Sequence, residues 1–387
     1  MIPRILAARL LERIQQYPIV TLLGPRQAGK TTLVRATFPD YTYVNLENPE
    51  TRQFAVRDPK GFLKTYPCPL IIDEVQRVPE LLSWIQVQVD SMQGNGHFIL
   101  TGSNQPALGA TVTQSLAGRT SLLYLLPLSL EELSTYGIQG DRDVWLVRGF
   151  LPRIYQQPVD APQIYADYLA TYVERDMRQL INLKDFSRFE VFLRLLAGRV
   201  GQILNLSTLA GDTGVSATTL SHWLSVLEAS FIVFKVQPYF RNIGKRLVKS
   251  SKIYFYEPGL VASLLQIESP EQAARDPLLS GLFENMVVVE LVKALMNRGL
   301  QHTVSFYRDS NGHEVDCVLE RQRIPSCIEI KASQTFSTDF LRNLYYFKNL
   351  IPDTHDLWVI YGGTESFTGS DYRVVGFADT YKAVPGP

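Results

Sequence analysis

The sequence predicts an α/β protein of several domains, and three observations carry that reading. At 387 residues the chain exceeds the roughly 250–300 residues at which a single hydrophobic core stops growing. Near the N-terminus, an apolar run with β-branched residues is followed by a glycine-rich loop and then by a helical pattern, the order strand, loop, helix. Further on the chain turns helical, and toward the C-terminus acids and a lysine recur at strand-period positions.

Composition narrows the classes. Lys plus Arg and Asp plus Glu each number 38, so no overall field draws the chain to nucleic acid or an acidic membrane; such binding has to come from a local patch. Cys68, Cys317 and Cys327 include no CxxC pair, which suits a reducing compartment and argues against a disulfide framework or a cysteine-held metal. No apolar run approaches the ~18–20 residues that span a bilayer. Arg4, Arg9, Glu12 and Arg13 interrupt the N-terminus where a signal peptide needs an apolar core. The expectation is a cytoplasmic protein with no membrane partner.

The run Pro18-Ile-Val-Thr-Leu-Leu23 leads into Gly24, Pro25, Arg26, Gln27, Ala28, Gly29, Lys30, Thr31 and Thr32, where a helical pattern begins. In a GxxxxGKT loop between strand and helix, backbone N–H groups and the helix N-terminus together form an anion site. Gly24 to Thr32 are therefore expected to bind ATP, with Lys30 on the β- and γ-phosphates and the Thr31 hydroxyl on Mg²⁺. Pro69-Leu-Ile-Ile-Asp73-Glu74 is an apolar strand ending in two acids. Asp73 is assigned to the Mg²⁺ shell, and Glu74 to orienting or deprotonating the attacking water.

A third run, His97-Phe-Ile-Leu-Thr-Gly102, ends in Ser103-Asn104, placing small polar groups where ligands lie in open α/β sheets. Thr101, Ser103 or Asn104 is expected to sense the γ-phosphate or position water. In Ser115-Leu-Ala-Gly-Arg119, Arg119 reads either as a finger on a neighbouring protomer's ATP, which requires a homo-oligomer, or as a solvated surface arginine.

Residues 20–133 resemble the AAA-type ATPases of archaea and bacteria that carry a C-terminal domain of uncharacterised function. The likeness rests on Leu-Leu-Gly-Pro-Arg-Gln-Ala-Gly-Lys-Thr-Thr, Asn-Leu-Glu-Asn-Pro at 45–49, and Leu-Ile-Ile-Asp-Glu-Val-Gln-Arg-Val-Pro-Glu-Leu from Leu70. It continues with Phe-Ile-Leu-Thr-Gly-Ser-Asn from Phe98, Ser-Leu-Ala-Gly-Arg at 115–119 and Pro-Leu-Ser-Leu-Glu-Glu-Leu from Pro127. The resemblance implies an AAA+-like nucleotide fold with the roles given above, and it favours the finger for Arg119. No second sensor arginine can be placed.

Residues 135–163, rich in Gly, Pro and charge, read as a boundary or an irregular connector rather than a continuing sheet. Ile164–Leu180 and Ser187–Arg199 carry apolar residues at helical spacing. The segment 206–229 reads as helix, glycine turn, helix, with Ser207 and Ser216 as N-caps and an apolar stripe of Leu220, Trp223, Leu224 and Leu227. A β-rich stretch, Phe231-Ile-Val-Phe-Lys-Val, follows, and a hairpin over Tyr239 to Tyr256 would complete a winged helix. DNA binding would use the basic run Arg241, Lys245, Arg246, Lys249 and Lys252 on phosphates. Against this, the second helix offers Thr218, Thr219, Ser221, His222 and Ser225 but no Arg or Lys, and packing on the ATPase or between protomers is the competing reading.

Near the C-terminus, Glu284 begins an apolar helix, Asp316 sits on a strand, and Glu329-Ile-Lys331 puts two polar side chains on one face of the next. Two carboxylates can hold Mg²⁺ while a lysine orients the nucleophile and offsets developing charge. This set resembles the restriction-endonuclease-like nuclease core, which implies catalytic positions for Glu284, Asp316, Glu329 and Lys331, with Asp316 and Glu329 on the metal. Val315 precedes Asp316 where a proline is frequent. The expected layout is an AAA+-like domain over 1–140, a helical connector over 141–200, a winged helix over 201–268 and a restriction-endonuclease-like α/β domain over 269–387. The expected function is an ATPase coupled to DNA binding, remodelling or cleavage; the alternative is a nucleotide-dependent switch whose C-terminal domains bind a protein partner.

Overall fold

The computed structural model describes residues 2–103, 115–173, 186–239, 250–300 and 303–384. Asn104, and Arg241, Lys245, Arg246 and Lys249 of the basic run, lie outside them. Contacts group the chain into two compact units: Met1–Pro127 with Ala229–Phe231 and Met296–Gly299, and Leu128–Glu228 with Ile232–Leu295 and Leu300–Pro387.

The first unit is built on five parallel strands: β1 (Ile19–Gly24), β2 (Thr42–Asn45), β3 (Leu70–Asp73), β4 (Phe98–Ser103) and β5 (Thr120–Tyr124), in the order β2-β3-β4-β1-β5. Strand alternation gives both faces apolar residues, as a parallel sheet covered on two sides requires. Ile19, Leu23, Leu70, Ile72, Phe98 and Leu100 pack with Phe62, Leu81, Leu82 and Ile85. Val20, Leu22, Ile71 and Ile99 pack instead with Leu6, Leu10 and Ile14 of the helix Leu6–Gln16 and with Leu33 and Val34 of the helix Lys30–Thr37. The strand ends at Gly24, Asp73 and Ser103 thus point to one edge of the sheet, because all five strands run the same way.

The second unit carries an eight-stranded mixed sheet: β6 (Val233–Pro238), β7 (Lys252–Phe255), β8 (Val304–Arg308), β9 (Glu314–Arg321), β10 (Ile324–Lys331), β11 (Leu357–Tyr361), β12 (Phe367–Thr368) and β13 (Arg373–Gly376). Its order is β12-β13-β11-β10-β9-β8-β6-β7. The helix–turn–helix (Leu206–Thr213, Ala217–Ala229) precedes an antiparallel β6–β7 pair; β6 falls on the β-rich stretch that begins at Phe231, β7 lies within 239–256, and residues 240–249 of the expected hairpin lie outside the described residues. Strand β6 also pairs in parallel with β8, which puts segments expected as separate domains into one sheet. The first helix is capped by Asn205 and not Ser207, since the Asn205 side chain accepts from the backbone N–H of Ser207 and Thr208; Ser216 accepts from Thr219 N–H as expected.

The connector is not irregular. It folds as short helices Arg142–Arg148, Pro152–Gln156 and Ala161–Tyr168. The prolines that look like breakers in the sequence sit in the first turn, where the missing N–H has no partner to lose. Trp145 is buried and stacks on Phe150 at 5.9 Å.

The longest helix among the described residues, Leu279–Asn297, is buried without a break from Asn285 to Leu295 and includes two charges. Lys293 donates to Glu290 Oε1 (2.7 Å) and to the Leu128 carbonyl (2.8 Å), and Glu290 Oε2 accepts from Leu130 N–H (2.7 Å). Lys293 also lies 3.8 Å from the centre of the Phe150 ring. Removing one partner of such a pair leaves an uncompensated buried charge, so Lys293→Ala should lower stability by about 3–5 kcal/mol. Urea unfolding followed by circular dichroism measures this, and an unchanged midpoint would rule the pair out as a support of this unit.

Candidate functional site

The glycine loop leaves β1 at Gly24, whose φ is 152° and where an added Cβ would lie 2.1 Å from the Leu125 carbonyl oxygen. Only glycine passes there. Gly29, at φ 90°, turns the chain into the helix that begins at Lys30. Arg4 fixes the loop from behind, donating to the Ala28 carbonyl (2.8 Å) and the Leu126 carbonyl (2.7 Å). Lys30 is buried and curls over the loop, donating to the carbonyls of Gly24 (3.0 Å) and Pro25 (2.7 Å). Burial pulls its ammonium down to about 8, against the opposing pull of Glu74 and Asp73. Gln27 Oε1 is a buried acceptor without a partner at the same loop.

Asp73 ends β3 at the same sheet edge and is 2% exposed. Its Oδ2 accepts from Thr31 Oγ1 (2.8 Å) and Tyr43 Oη (2.8 Å), and its Oδ1 accepts from Thr101 Oγ1. Burial and the bond to Asp73 hold the Tyr43 phenol above its ordinary value, which keeps it a donor. Glu74 follows in the left-handed region (φ 59°), so its side chain leaves the strand at a turn instead of continuing the pleat. One oxygen of Glu74 accepts from Gln76 Nε2, which also donates to Ser103 Oγ (2.9 Å) at the end of β4. Arg77 of the same turn pairs with Glu47 at 2.8 Å.

These contacts bring Lys30, Thr31, Asp73, Glu74, Thr101 and Ser103 to one edge, with Pro25 to Gly29 as the loop between them. Sequence reasoning missed Arg4, Tyr43 and Gln76: the partners of Arg4 and Tyr43 are remote in the chain, and Gln76 joins its near neighbour Glu74 to the distant Ser103. Thr31 and Asp73 offer a hydroxyl and a carboxylate side by side, a donor set that fits Mg²⁺, and the ammonium of Lys30 is held by carbonyls that a phosphate oxygen can replace.

Arg119 lies elsewhere. Ile19 N–H donates to its carbonyl (3.2 Å), which places it at the start of β1. That is the opposite end of the strand from Gly24, about 17 Å away at 3.3 Å per residue. Its guanidinium forms a two-pronged pair with Asp90 at 2.5 and 2.8 Å.

In the second unit, Lys331 Nζ lies 2.6 Å from Glu329 Oε1 and 3.8 Å from Asp316 Oδ2, and Asp316 accepts from Ile330 N–H (2.8 Å). Glu284 is bound differently, by Lys252 Nζ (2.8 Å) and Tyr254 Oη (2.6 Å). Lys252 also reaches Glu314 at 2.5 Å. The sequence reading put Lys252 on a phosphate-facing surface, but it is 2% exposed: on β7 it shares a face with Tyr254, and that face meets the Glu284 helix. Glu329 Oε2 is buried without a partner. Among the described residues no group of three or more His, Cys, Asp or Glu side chains is arranged to hold a metal ion. No helix among them is long and apolar enough to cross a membrane.

A parallel sheet with the phosphate loop after its first strand and the Thr31–Asp73 pair at the next strand end defines a P-loop nucleotide-binding domain. Residues 16–134 match the family model of an AAA domain, 140–271 a domain of unknown function (DUF8612) and 279–379 another (DUF4143). Two uncharacterized proteins, Rv2008c of Mycobacterium tuberculosis and Mb2031c of Mycobacterium bovis, are each 33% identical over 335 residues, covering 85% of this chain and 74% of their own. An uncharacterized protein of Haemophilus influenzae is 24% identical over 314 residues, 71% of this chain and 74% of its own. The chain belongs to the family of these mycobacterial proteins, with an AAA-type P-loop ATPase domain followed by a DUF4143 domain. Among solved structures, the Walker-type ATPase paby2304 of Pyrococcus abyssi overlaps 67% of this chain and 94% of its own, at 17% identity and a TM-score of 0.44.

The carboxylates of the second unit make its stability pH-dependent. Burial raises the Glu284 carboxyl to about 7, opposed by Lys252 and assisted by Asp316. Burial likewise raises Glu329 to about 8, with Asp316 assisting and Lys331 opposing. Above the ordinary value of 4.5 the folded protein therefore binds protons that the unfolded chain has released, and stability falls as pH rises toward 7 and 8. Glu284→Gln and Glu329→Gln should each flatten that decline in melting temperature between about pH 5 and about pH 8. Slopes identical to the parent protein would contradict the assignment.

Proposed function

We propose that this chain is a Mg²⁺-dependent ATPase whose second unit couples turnover to DNA. The observation that carries the reading is the Thr31–Asp73 pair, 2.8 Å apart, beside a buried Lys30 that spends its bonds on the loop's own carbonyls. Gly24 to Thr32 cradle the triphosphate, Lys30 takes its outer phosphate oxygens, and Thr31 with Asp73 would hold Mg²⁺, which offsets phosphate charge when bound. Glu74 orients the attacking water and takes its proton. Thr101 and Ser103 stand at the γ-phosphate end, and the sequence expectation for Asn104 lies outside the described residues. Arg119, remote from its own loop, serves a neighbour's ATP in a homo-oligomer. The helix–turn–helix with its β6–β7 pair supports reading that region as a winged helix, and the Asp316–Glu329–Lys331 cluster with Glu284 supports a restriction-endonuclease-like fold that takes a metal on Asp316 and Glu329.

A second reading has its own support. The helix Ala217–Ala229 offers no Arg or Lys, and Lys252 is consumed inside the protein, which favours a protein partner over DNA for the second unit.

Steady-state ATP hydrolysis with Mg²⁺, with and without duplex DNA, separates the readings. Turnover should fall by roughly a hundredfold or more in Lys30→Ala, and duplex DNA should raise it in the parent protein. Lys30-dependent turnover that ignores DNA would shift the weight to a protein partner, and turnover that survives Lys30→Ala would sink the ATPase reading. Nuclease activity is tested by incubating plasmid with Mg²⁺: Lys331→Ala should abolish cleavage, and absence of cleavage by the parent protein would leave this fold without that chemistry. Mixing Lys30→Ala protein with Arg119→Ala protein should restore part of the turnover that each lacks, because hybrid interfaces pair an intact loop with an intact arginine. A mixture no more active than its components would count against the shared site.

A further inference from the structure

Gln76 stands three residues beyond the end of β3, in the one-turn helix Val75–Arg77. It is 9% exposed, a full-length polar side chain in a turn whose neighbours in sequence Val75 and Val78 are buried as well. Its atoms are identifiable by chemistry: a carboxylate only accepts, so the end facing Glu74 Oε2 is the NH₂ group. The same nitrogen donates to Ser103 Oγ at 2.9 Å. Both of its hydrogens are thus committed, one to the carboxylate after β3 and one to the hydroxyl that ends β4.

The other end of the amide is different. Gln76 Oε1 is buried and has no partner. A buried acceptor left unpaired is costly, and an apolar side chain of the same shape would avoid that cost. The amide is therefore a poor device for stability alone, and only its donor end has work. That work falls on Glu74, whose backbone is already in the left-handed region and whose side chain would otherwise swing free at a turn.

We propose that Gln76 is a positioning residue for ATP hydrolysis, its amide pinning one oxygen of Glu74 to Ser103 so that the other oxygen faces the attacking water. The inference rests on the ATPase reading above and adds a residue and a route to it. A carboxylate free to rotate offers the water many orientations, whereas one held by a fixed donor offers one, and misplacement of a catalytic group is felt in the rate more than in substrate binding. Ser103 anchors the arrangement because it belongs to the sheet: Gly24 and Ser103 are paired residues of β1 and β4, so the anchor is registered to the phosphate loop itself.

Two variants of the full chain test this in steady-state Mg²⁺–ATP turnover, read against ATP concentration. Gln76→Met keeps the length and shape and removes both donors; kcat should fall by roughly ten- to a hundredfold while KM for ATP stays within about threefold. Gln76→Lys keeps a donor of similar reach and should recover part of the lost kcat. A role limited to holding the turn together would lower the melting temperature and leave kcat at the parent's level at temperatures where the variant is folded. A parent-like kcat in Gln76→Met, or a Gln76→Lys protein no faster than Gln76→Met, would overturn the proposal while the Lys30-dependent turnover of the parent protein keeps the ATPase reading intact. Parent turnover that Lys30→Ala fails to reduce would overturn both.

Discussion

The first unit depends on one buried carboxylate. Asp73 sits at the end of an apolar strand where water cannot reach it, and a charge in that place has to be met by donors. Three hydroxyls meet it, from the first turn of the loop's helix (Thr31), from β2 (Tyr43) and from β4 (Thr101). Each donor comes from a different element, so satisfying the charge also sets the height of those elements relative to one another. The sheet edge on which nucleotide chemistry would occur is thereby assembled by the same bonds that make Asp73 tolerable. Arg4 does for the loop's outer side what Asp73 does for its inner side, since it donates to the carbonyls of Ala28, Leu126 and Pro127.

The second unit solves a different electrostatic problem. Four carboxylates, Glu284, Glu314, Asp316 and Glu329, face inward together, and two lysines, Lys252 and Lys331, are drawn in against them. Lysine inside a protein is costly, and here Glu284 and Glu314 share one ammonium between them, which keeps Lys252 charged well above its ordinary range. An ammonium is a monovalent cation with fixed reach. Any divalent ion that entered would compete with it for the same oxygens.

Much of this was legible in the sequence where chemistry is local. The loop, the strand ending in Asp73-Glu74 and the strand ending at Ser103 each announce themselves in a few consecutive residues, because an apolar run followed by glycine or an acid leaves little else to form. Partners far apart in the chain leave no such trace. Tyr43 and Asp73 are thirty residues apart, Arg4 and Leu126 over a hundred, and nothing local marks them as neighbours. Lys252 misled because charge next to charge in a sequence suggests a solvated surface, while strand periodicity sent this one side chain inward. The connector misled because proline marks both the end of one helix and the first turn of the next, and only the structure distinguishes them.

The parallel pairing of β6 with β8 has a consequence for how this protein can be divided. Strand β6 falls within the 140–271 match and β8 within the 279–379 match, yet Tyr239 N–H donates to the Phe306 carbonyl at 2.7 Å and the strands are registered at Gln237–Ser305 and Pro238–Phe306. A fragment cut between the two matches would leave β8 as a bare edge, with a row of unpaired N–H and C=O groups offered to any passing strand. The sequence boundary therefore marks where two patterns of inheritance meet and not where the molecule can be taken apart. Evolution could exchange one of these segments only together with a partner able to complete its sheet.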